Sequence, residues 1–347
     1  MWGGFQPARP RGSPRQVRPC CVLSRLHRQL IANDSAPGTQ QAALVVVAGP
    51  TGTGKSELAV RLAESLGGEI VNYDSVQIYR GFDVGSAKPP AASRARVPHH
   101  LFDIVEASDE FNAADFARLA RRVCEEIASR DKRPILVGGT FFYLRALLAG
   151  LPEMPGRDEA VRERIRRLAA RPRGPERLHR WLSKIDPQSG RKIAPADRHR
   201  VERALEVWVV SGRPISTWER PPADAAVEIP AAKLGLFLER QQLVAALDRR
   251  VESMYAEGLI DETRQLLERY PRSARPFGAI GYAEAVKVVN GELERDAAIE
   301  ETKRRTRAYA KRQMTWLRAE RNVQWIDAAD REKAFEAALR LLTEGKT

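Results

Sequence analysis

The sequence predicts an α/β fold, a P-loop core with a parallel sheet flanked by helices, carrying a small all-helical insertion. Three observations predict it. Leu44–Ala48 is an unbroken run of apolar, mostly β-branched residues, the signature of a strand buried on both faces. It is followed by a glycine-rich turn and then by residues at helical spacing. That strand–helix alternation recurs to about residue 150, which argues for right-handed crossovers between parallel strands. From Arg157 to about Arg200 the strand signal vanishes and the chain reads as helix, rich in arginine.

Taken in order, Lys55–Leu66 places Leu58, Leu62 and Leu66 on one helical face, and Gly67-Gly68 stops it. Residues 69–72 read as a second strand, residues 113–130 as an amphipathic helix, and residues 134–137 as a third strand ending in Gly138-Gly139-Thr140. A helix then runs to Leu148. Pro152, Pro155 and Gly156 mark a boundary. Residues 201–210 form another helix, and 211–232 a loop with Gly212, Pro214, Pro221 and Pro222. A strand returns at 233–238. The longest helix spans Arg295 to Arg318, followed by a short strand at 323–326 and a closing helix. The expected organisation is a disordered basic extension over 1–40, the first part of the P-loop core over 41–153, a helical insertion over 154–200, and the rest of the core over 201–347.

Composition limits the function. Hydrophobic residues make up 43% of the 347, enough for a sizeable core, and 30% are charged. No run of about 18 apolar residues exists, so no membrane span is expected. The net charge of +13 favours a polyanionic partner through counterion release. The three cysteines, Cys20, Cys21 and Cys124, make neither a disulfide framework nor a zinc module. Residues 1–40 hold six arginines and no acid before Asp34. Pro7, Pro10, Pro14 and Pro19 break any amphipathic helix there, so a disordered tail is expected rather than a transit peptide.

Gly49-Pro50-Thr51-Gly52-Thr53-Gly54-Lys55-Ser56 fits the phosphate-loop pattern and lies between a strand and a helix, the context the pattern requires. Gly52 and Gly54 let backbone N–H groups turn around phosphate oxygens. The helix N-terminus adds partial positive charge. Lys55 reaches the distal phosphate, and the Ser56 hydroxyl can ligate Mg²⁺. Nucleotide hydrolases usually add an acid at the end of a second buried strand. Here that strand ends in Gly138-Gly139-Thr140. The loop therefore grips a diphosphate-bearing ligand without showing that the ligand is ATP. Asp74 stands at the C-terminal end of the second strand, on the edge that lines the ligand crevice of open α/β sheets. Position alone leaves two roles open: a proton acceptor or metal helper, and a cap for the following turn.

Eight segments in order resemble the tRNA dimethylallyltransferase (isopentenyl-tRNA transferase) family. They are Gly49–Ser56, Asp74–Gly81, Asp83–Pro89, Pro98–Ile104, Gly138–Thr140, Asp197–Glu206, Ile280–Tyr282 and Tyr309–Arg318, and the resemblance spans about residues 42–345. It implies a P-loop NTPase-like core and transfer of a dimethylallyl group from dimethylallyl diphosphate to the exocyclic amine of the adenosine 3′ of the anticodon. By the same resemblance, the loop and Lys55 hold the diphosphate, Ser56 holds Mg²⁺, Asp74 is the general base, and Thr140 touches the base or the diphosphate near the reacting carbon. The adenosine must be flipped out to reach the crevice. The resemblance assigns tRNA contacts to Asp74, Ser75, Val76, Gln77 and Thr140, to Arg162, and to His199, Arg200, Val201, Glu202 and Arg203. Lys311, Arg312, Gln313, Trp316 and Arg318 add a basic and aromatic mix suited to RNA. Arg250 is on a helix and is not assigned to the site. His99 and His100 read as structural, and Trp181, Trp208 and Trp218 as core.

The chain departs from the family in Ser86, where many members carry threonine, in residues 1–40, and in lacking the zinc finger of many eukaryotic members. The expectation is a cytoplasmic monomer that acts on the tRNA anticodon stem-loop with Mg²⁺ and does not bind membranes. The rivals are an adenylate isopentenyltransferase, which AMP as acceptor would reveal, a P-loop small-molecule kinase, which would turn over ATP, and a non-catalytic RNA-binding protein.

Overall fold

A computed structural model describes residues 44–218 and 229–344. The basic extension over 1–40, with Cys20 and Cys21, and the loop prolines Pro221 and Pro222 lie outside the described residues. The chain divides into two compact units, one containing residues 150–218 and the other residues 44–149 and 229–344.

The larger unit is built on one six-stranded sheet. Its elements, in order, are β1 (Leu44–Ala48), α1 (Lys55–Leu66), β2 (Gly68–Asn72), α2 (Ala91–Arg96), β3 (His99–His100), α3 (Ala113–Ala128), β4 (Arg133–Val137) and α4 (Phe141–Ala149). The smaller unit follows with α5 (Glu159–Ala169), α6 (Gly174–Ile185), α7 (Pro187–Lys192) and α8 (Arg198–Ser211). The larger unit resumes with β5 (Ala231–Phe237), α9 (Arg240–Ala256), α10 (Leu259–Arg269), α11 (Tyr282–Val289), α12 (Arg295–Arg318), β6 (Val323–Asp327) and α13 (Arg331–Thr343). The strand order is β3-β2-β4-β1-β5-β6. All neighbours run parallel. Parallel strands put all their C-terminal ends on one edge, so β1, β2 and β4 deliver their loops to the same crevice.

The apolar run of β1 is legible because all five of its residues are buried. On one sheet face, α1 and α13 pack Leu58, Leu62, Ala334 and Ala338 against Val45, Val47, Ile135 and Leu234. On the other face, α3 and α4 meet through the stacked rings of Phe116 and Tyr143, 4.7 Å apart. Cys124 is buried in α3, where burial pushes its thiol pKa up to about 12, so it stays an inert apolar residue.

Helices α9–α12 complete the larger unit and brace the long loop after β2. Phe82 from that loop packs edge-on against Tyr282 and Phe277. Glu262 in α10 accepts backbone hydrogen bonds from Asp83, Val84 and Gly85. Gly85 has no room for a side chain, since a Cβ there would stand 2.5 Å from the Tyr282 ring. Lys88 is buried and donates to Asp83, Asp103 and the Tyr79 carbonyl, which ties this loop to the one after β3.

The helical unit is larger than its arginine-rich segment suggests. Helix α8 was expected to open the second part of the core, with the boundary at Arg200. It instead closes the small unit's own core, where Val201, Ala204 and Leu205 pack on Ile165, Leu178, Trp181 and Leu182. The boundary is displaced because one apolar stripe of α8 has its partners on α5 and α6. Glu206 on the same helix is fully buried. It accepts from Arg162 at 2.9 and 3.0 Å, from Arg203 at 2.8 Å and from the Asp158 N–H at 2.8 Å. Burial alone would raise its pKa, but the hydrogen bonds from Arg162 and Arg203 bring the net shift below the usual carboxylate range. Replacing Glu206 by Ala should therefore destabilise the protein by about 3 kcal/mol, because two half-buried guanidinium groups lose their partner. Chemical denaturation monitored by circular dichroism checks this. A loss under about 1 kcal/mol would show that the triad is not structural.

Candidate active site

The phosphate loop leaves β1 through a strained turn that only glycine satisfies. Gly49 has φ 155°, and a Cβ there would stand 2.8 Å from the Leu236 carbonyl oxygen. Gly52 and Gly54 take φ of 84° and 82°, in the left-handed region. Gly54 caps α1, so the orphan amides of the first turn point into the crevice. The buried Thr53 hydroxyl donates to the Pro50 carbonyl at 2.9 Å and holds the loop's curve.

Lys55 donates its Nζ to the same Pro50 carbonyl at 2.8 Å. Its pKa falls to about 7 because burial opposes the charge and Arg250 repels it, while Asp74 acts the other way. Arg250, half-buried on α9, contacts the Ser86 carbonyl at 3.4 Å, and burial lowers its pKa too. The two cations crowd one small region, an arrangement that a diphosphate would relieve. In sequence a lone helical arginine carries no positional signal, and only the fold puts Arg250 beside Lys55.

Asp74 fills both roles that its position left open. Oδ1 caps the turn by accepting from Val76 N–H at 2.8 Å and from Gln77 N–H at 3.4 Å. Oδ2 faces Gly139 across the crevice, 3.5 Å from where a Cβ would be. Thr140 joins the loops after β2 and β4. Its Oγ1 accepts from Ser75 N–H at 3.0 Å and donates to Ser75 Oγ at 3.1 Å. Val76 is half-buried beside them. Gln77 uses its amide nitrogen internally, donating to the Ser86 and Ala87 carbonyls at 3.1 and 3.2 Å, so its amide oxygen is the atom left for any further partner.

Helix α12 closes the site. Tyr309 Oη donates to the Gly139 carbonyl at 3.1 Å. Burial and the Asp74 charge both raise the tyrosine pKa, so it stays a neutral donor. Gln313 was expected to touch tRNA, but it is buried and both ends of its amide are engaged inside the site. Lys311, Arg312 and Arg318 are exposed on the same helix. Trp316 is half-covered by the Arg145 guanidinium, 4.8 Å from its ring centroid. Phe142, two residues after Thr140, is 52% exposed although it is a large apolar residue.

The expected contacts in the small unit divide by helical period. His199 and Arg200 are exposed, and Glu202 is half-buried. Val201 is buried in the core and cannot offer its side chain to RNA. Arg162 and Arg203 are committed to Glu206, so they act first as structure.

Among the described residues no group of three or more His, Cys, Asp or Glu could hold a metal ion. Beside the loop, the protein oxygen placed for a hard cation is the Ser56 hydroxyl. Ser56 is exposed at the first position after Lys55, and a hard cation there would take the remaining oxygens from water and a phosphate ligand.

The family model described as IPP transferase matches residues 77–320. A tRNA dimethylallyltransferase of Geobacter sulfurreducens is 45% identical over 285 residues, covering 82% of this chain and 91% of that one. One of Anaeromyxobacter sp. is 46% identical over 297 residues, covering 84% and 98%. The solved tRNA isopentenylpyrophosphate transferase of Bacillus halodurans superposes with a TM-score of 0.65 at 37% identity, covering 88% of this chain and 96% of that one. A eukaryotic dimethylallyltransferase solved acting on tRNA gives a TM-score of 0.70 at 28% identity, covering 87% and 80%.

The depressed Lys55 pKa makes a prediction. A diphosphate held by the ammonium form would make Lys55 itself take up about one proton on binding at pH 8 and almost none at pH 6, a share read as the difference from Lys55→Met. Calorimetry of inorganic diphosphate binding in buffers of different ionisation heat measures this. An equal share at both pH values would remove Lys55 as the group that titrates.

Proposed function

This chain belongs to the IPP transferase family, and from that premise we propose that it transfers a dimethylallyl group from dimethylallyl diphosphate to the exocyclic amine of the adenosine 3′ of the anticodon in tRNA. The observation that carries the reading is the facing of a phosphate loop and a carboxylate across one crevice, Lys55 on one side and Asp74 on the other. The kinship with tRNA dimethylallyltransferases supports the tRNA substrate and the prenyl donor, and the phosphate loop without an acid after β4 is consistent with a donor that carries a diphosphate.

The chemistry divides between the two sides. The donor's C–O bond breaks and its electron pair leaves on the diphosphate. The first-turn amides of α1, Lys55 and Arg250 stabilise that charge, each such donor being worth on the order of 10²–10³ in rate. Bound Mg²⁺, held through Ser56, would add Lewis-acid stabilisation of the same leaving group. The adenine nitrogen attacks the allylic carbon, and Asp74 Oδ2 takes its proton. Oδ1 is engaged in capping the turn, which supports Oδ2 as the oxygen that meets the amine. The Thr140 hydroxyl, locked to Ser75, holds the loop that the base slides against.

The acceptor is a polymer. Lys311, Arg312 and Arg318 line the exposed side of α12, and His199 and Arg200 extend from the small unit. The reading places the enzyme in the cytoplasm, as a monomer; no described helix is long and apolar enough to cross a membrane.

Purified protein with Mg²⁺ and dimethylallyl diphosphate should prenylate a tRNA carrying adenosine beside the anticodon and leave AMP untouched, read by mass spectrometry of the nucleosides. Transfer to AMP alone, or to neither, would overturn the reading. Asp74→Asn should keep tRNA affinity within about threefold and lower kcat by about 10²–10⁴. Unchanged turnover would remove Asp74 as the base. Replacing Lys311 and Arg312 together by Ala should weaken tRNA binding and reduce its salt dependence by about two phosphate contacts. A binding curve at several salt concentrations checks that slope.

A further inference from the structure

One buried side-chain amide lies between the two halves of the crevice, and the chemistry above does not use it. Gln313 is only 3% exposed. Its Oε1 accepts from the Thr51 N–H at 3.0 Å, and its Nε2 donates to the Gly139 carbonyl at 2.9 Å. Tyr309, one turn earlier on α12, donates to that same carbonyl. Thr51 belongs to the phosphate loop, while Gly139 leads directly into Thr140. A Cβ on Gly139 would stand 2.5 Å from Nε2 of Gln313, so the amide packs where a side chain on residue 139 would be.

We propose that Gln313 is a positioning residue that sets the separation between the donor loop and the acceptor residues Asp74 and Thr140, with Tyr309 fixing the Gly139 carbonyl from a second direction. The proposal rests on the prenyl-transfer reading. Within the sheet, β1 and β4 are held together by their ladder up to Val47 and Val137. Thr51 and Gly139 both lie beyond that ladder, so no strand hydrogen bond fixes the distance between their loops. Gln313 supplies the missing crosslink. The residue type follows from the two partners, which need one acceptor and one donor on a single planar group. Glutamate would turn a second acceptor toward the Gly139 carbonyl, and methionine would offer neither bond.

The reacting atoms must come within about 3–3.5 Å in line, and an error of about 1 Å can cost about 10²-fold in rate. Loosening the crosslink therefore has a specific consequence. The donor's C–O bond still breaks with its electron pair leaving on the diphosphate, but water reaches the allylic carbon before the amine does. Its oxygen bonds to that carbon and its proton goes to solvent, giving dimethylallyl alcohol. Diphosphate release and tRNA prenylation then part company.

The test uses the full-length enzyme with Mg²⁺, dimethylallyl diphosphate and tRNA, and measures diphosphate released against prenylated tRNA formed. The wild type should give a ratio near one. Gln313→Glu and Gln313→Met should raise it several-fold and lower kcat for transfer by about 10–10², while KM for the donor moves by less than about threefold. Tyr309→Phe should shift the ratio in the same direction by less. A ratio that stays near one in folded Gln313 variants would overturn the proposal. If those variants do not fold, a Tyr309→Phe ratio indistinguishable from wild type would overturn it instead. Failure of the wild type to prenylate tRNA would count against the function, not against this role.

Discussion

The contact on which the site depends is the approach of Gly49 to β5. The backbone leaves β1 so close to the Leu236 carbonyl that a single methyl group would collide with it. Because β1 is buried between β4 and β5, it cannot shift to make room. The phosphate loop is consequently fixed by the middle of the sheet. Its amides point where the strands dictate, and Lys55 follows as the first residue of α1. A loop anchored to an edge strand would have no such reference.

Electrostatics then gives the crevice its direction. Lys55 and Arg250 repel one another, burial opposes both charges, and Asp74 opposes the loss of charge. The protein thus holds two cations near the loop that are short of counter-charge, with a carboxylate facing them. This asymmetry suits the proposed chemistry, with a diphosphate at one end and a proton acceptor at the other. Burial has a further effect, since in a site of low dielectric each of these groups acts more strongly on a developing charge than it would in water. Tyr309 remains protonated in the same field, which keeps it a donor to Gly139 whatever the state of Asp74.

Much of this was legible in the sequence. The run Leu44–Ala48, the glycines of the loop and the position of Asp74 after β2 are local signals, and the structure places each where its pattern implies. The helical periods were legible too, including the 24-residue α12. What the sequence did not show depends on contacts between distant segments. Gln313 and Thr51 are 262 residues apart, so nothing local distinguishes an amide that will be buried from one that will meet RNA. The same holds for Arg162, which finds Glu206 only when α5 and α8 pack. Val201 could have been read correctly. Its spacing with Ala204, Leu205 and Trp208 is the core stripe of α8, and the run of neighbouring polar residues obscured it.

The arginine count misleads in one way and informs in another. A net charge of +13 means that internal pairing cannot neutralise the cations, so a basic surface must remain. Which arginines form it cannot be taken from their density. In the small unit the arginine-rich helix α5 commits Arg162 to a buried carboxylate and pairs Arg166 and Arg167 with Glu159 and Glu163. On α12, by contrast, Lys311, Arg312 and Arg318 have no acidic partner among the described residues and are exposed, while Gln313 on the same helix is buried. A single helix therefore carries two functions set by its 3.6-residue period. One face bonds Thr51 and Gly139 through Gln313, while the other carries uncompensated charge which, under the proposed function, would meet a phosphate backbone. Any movement of α12 would be felt at Thr51 and Gly139 directly, and under the proposed function that would tie acceptor binding to the geometry of the phosphate loop through one element.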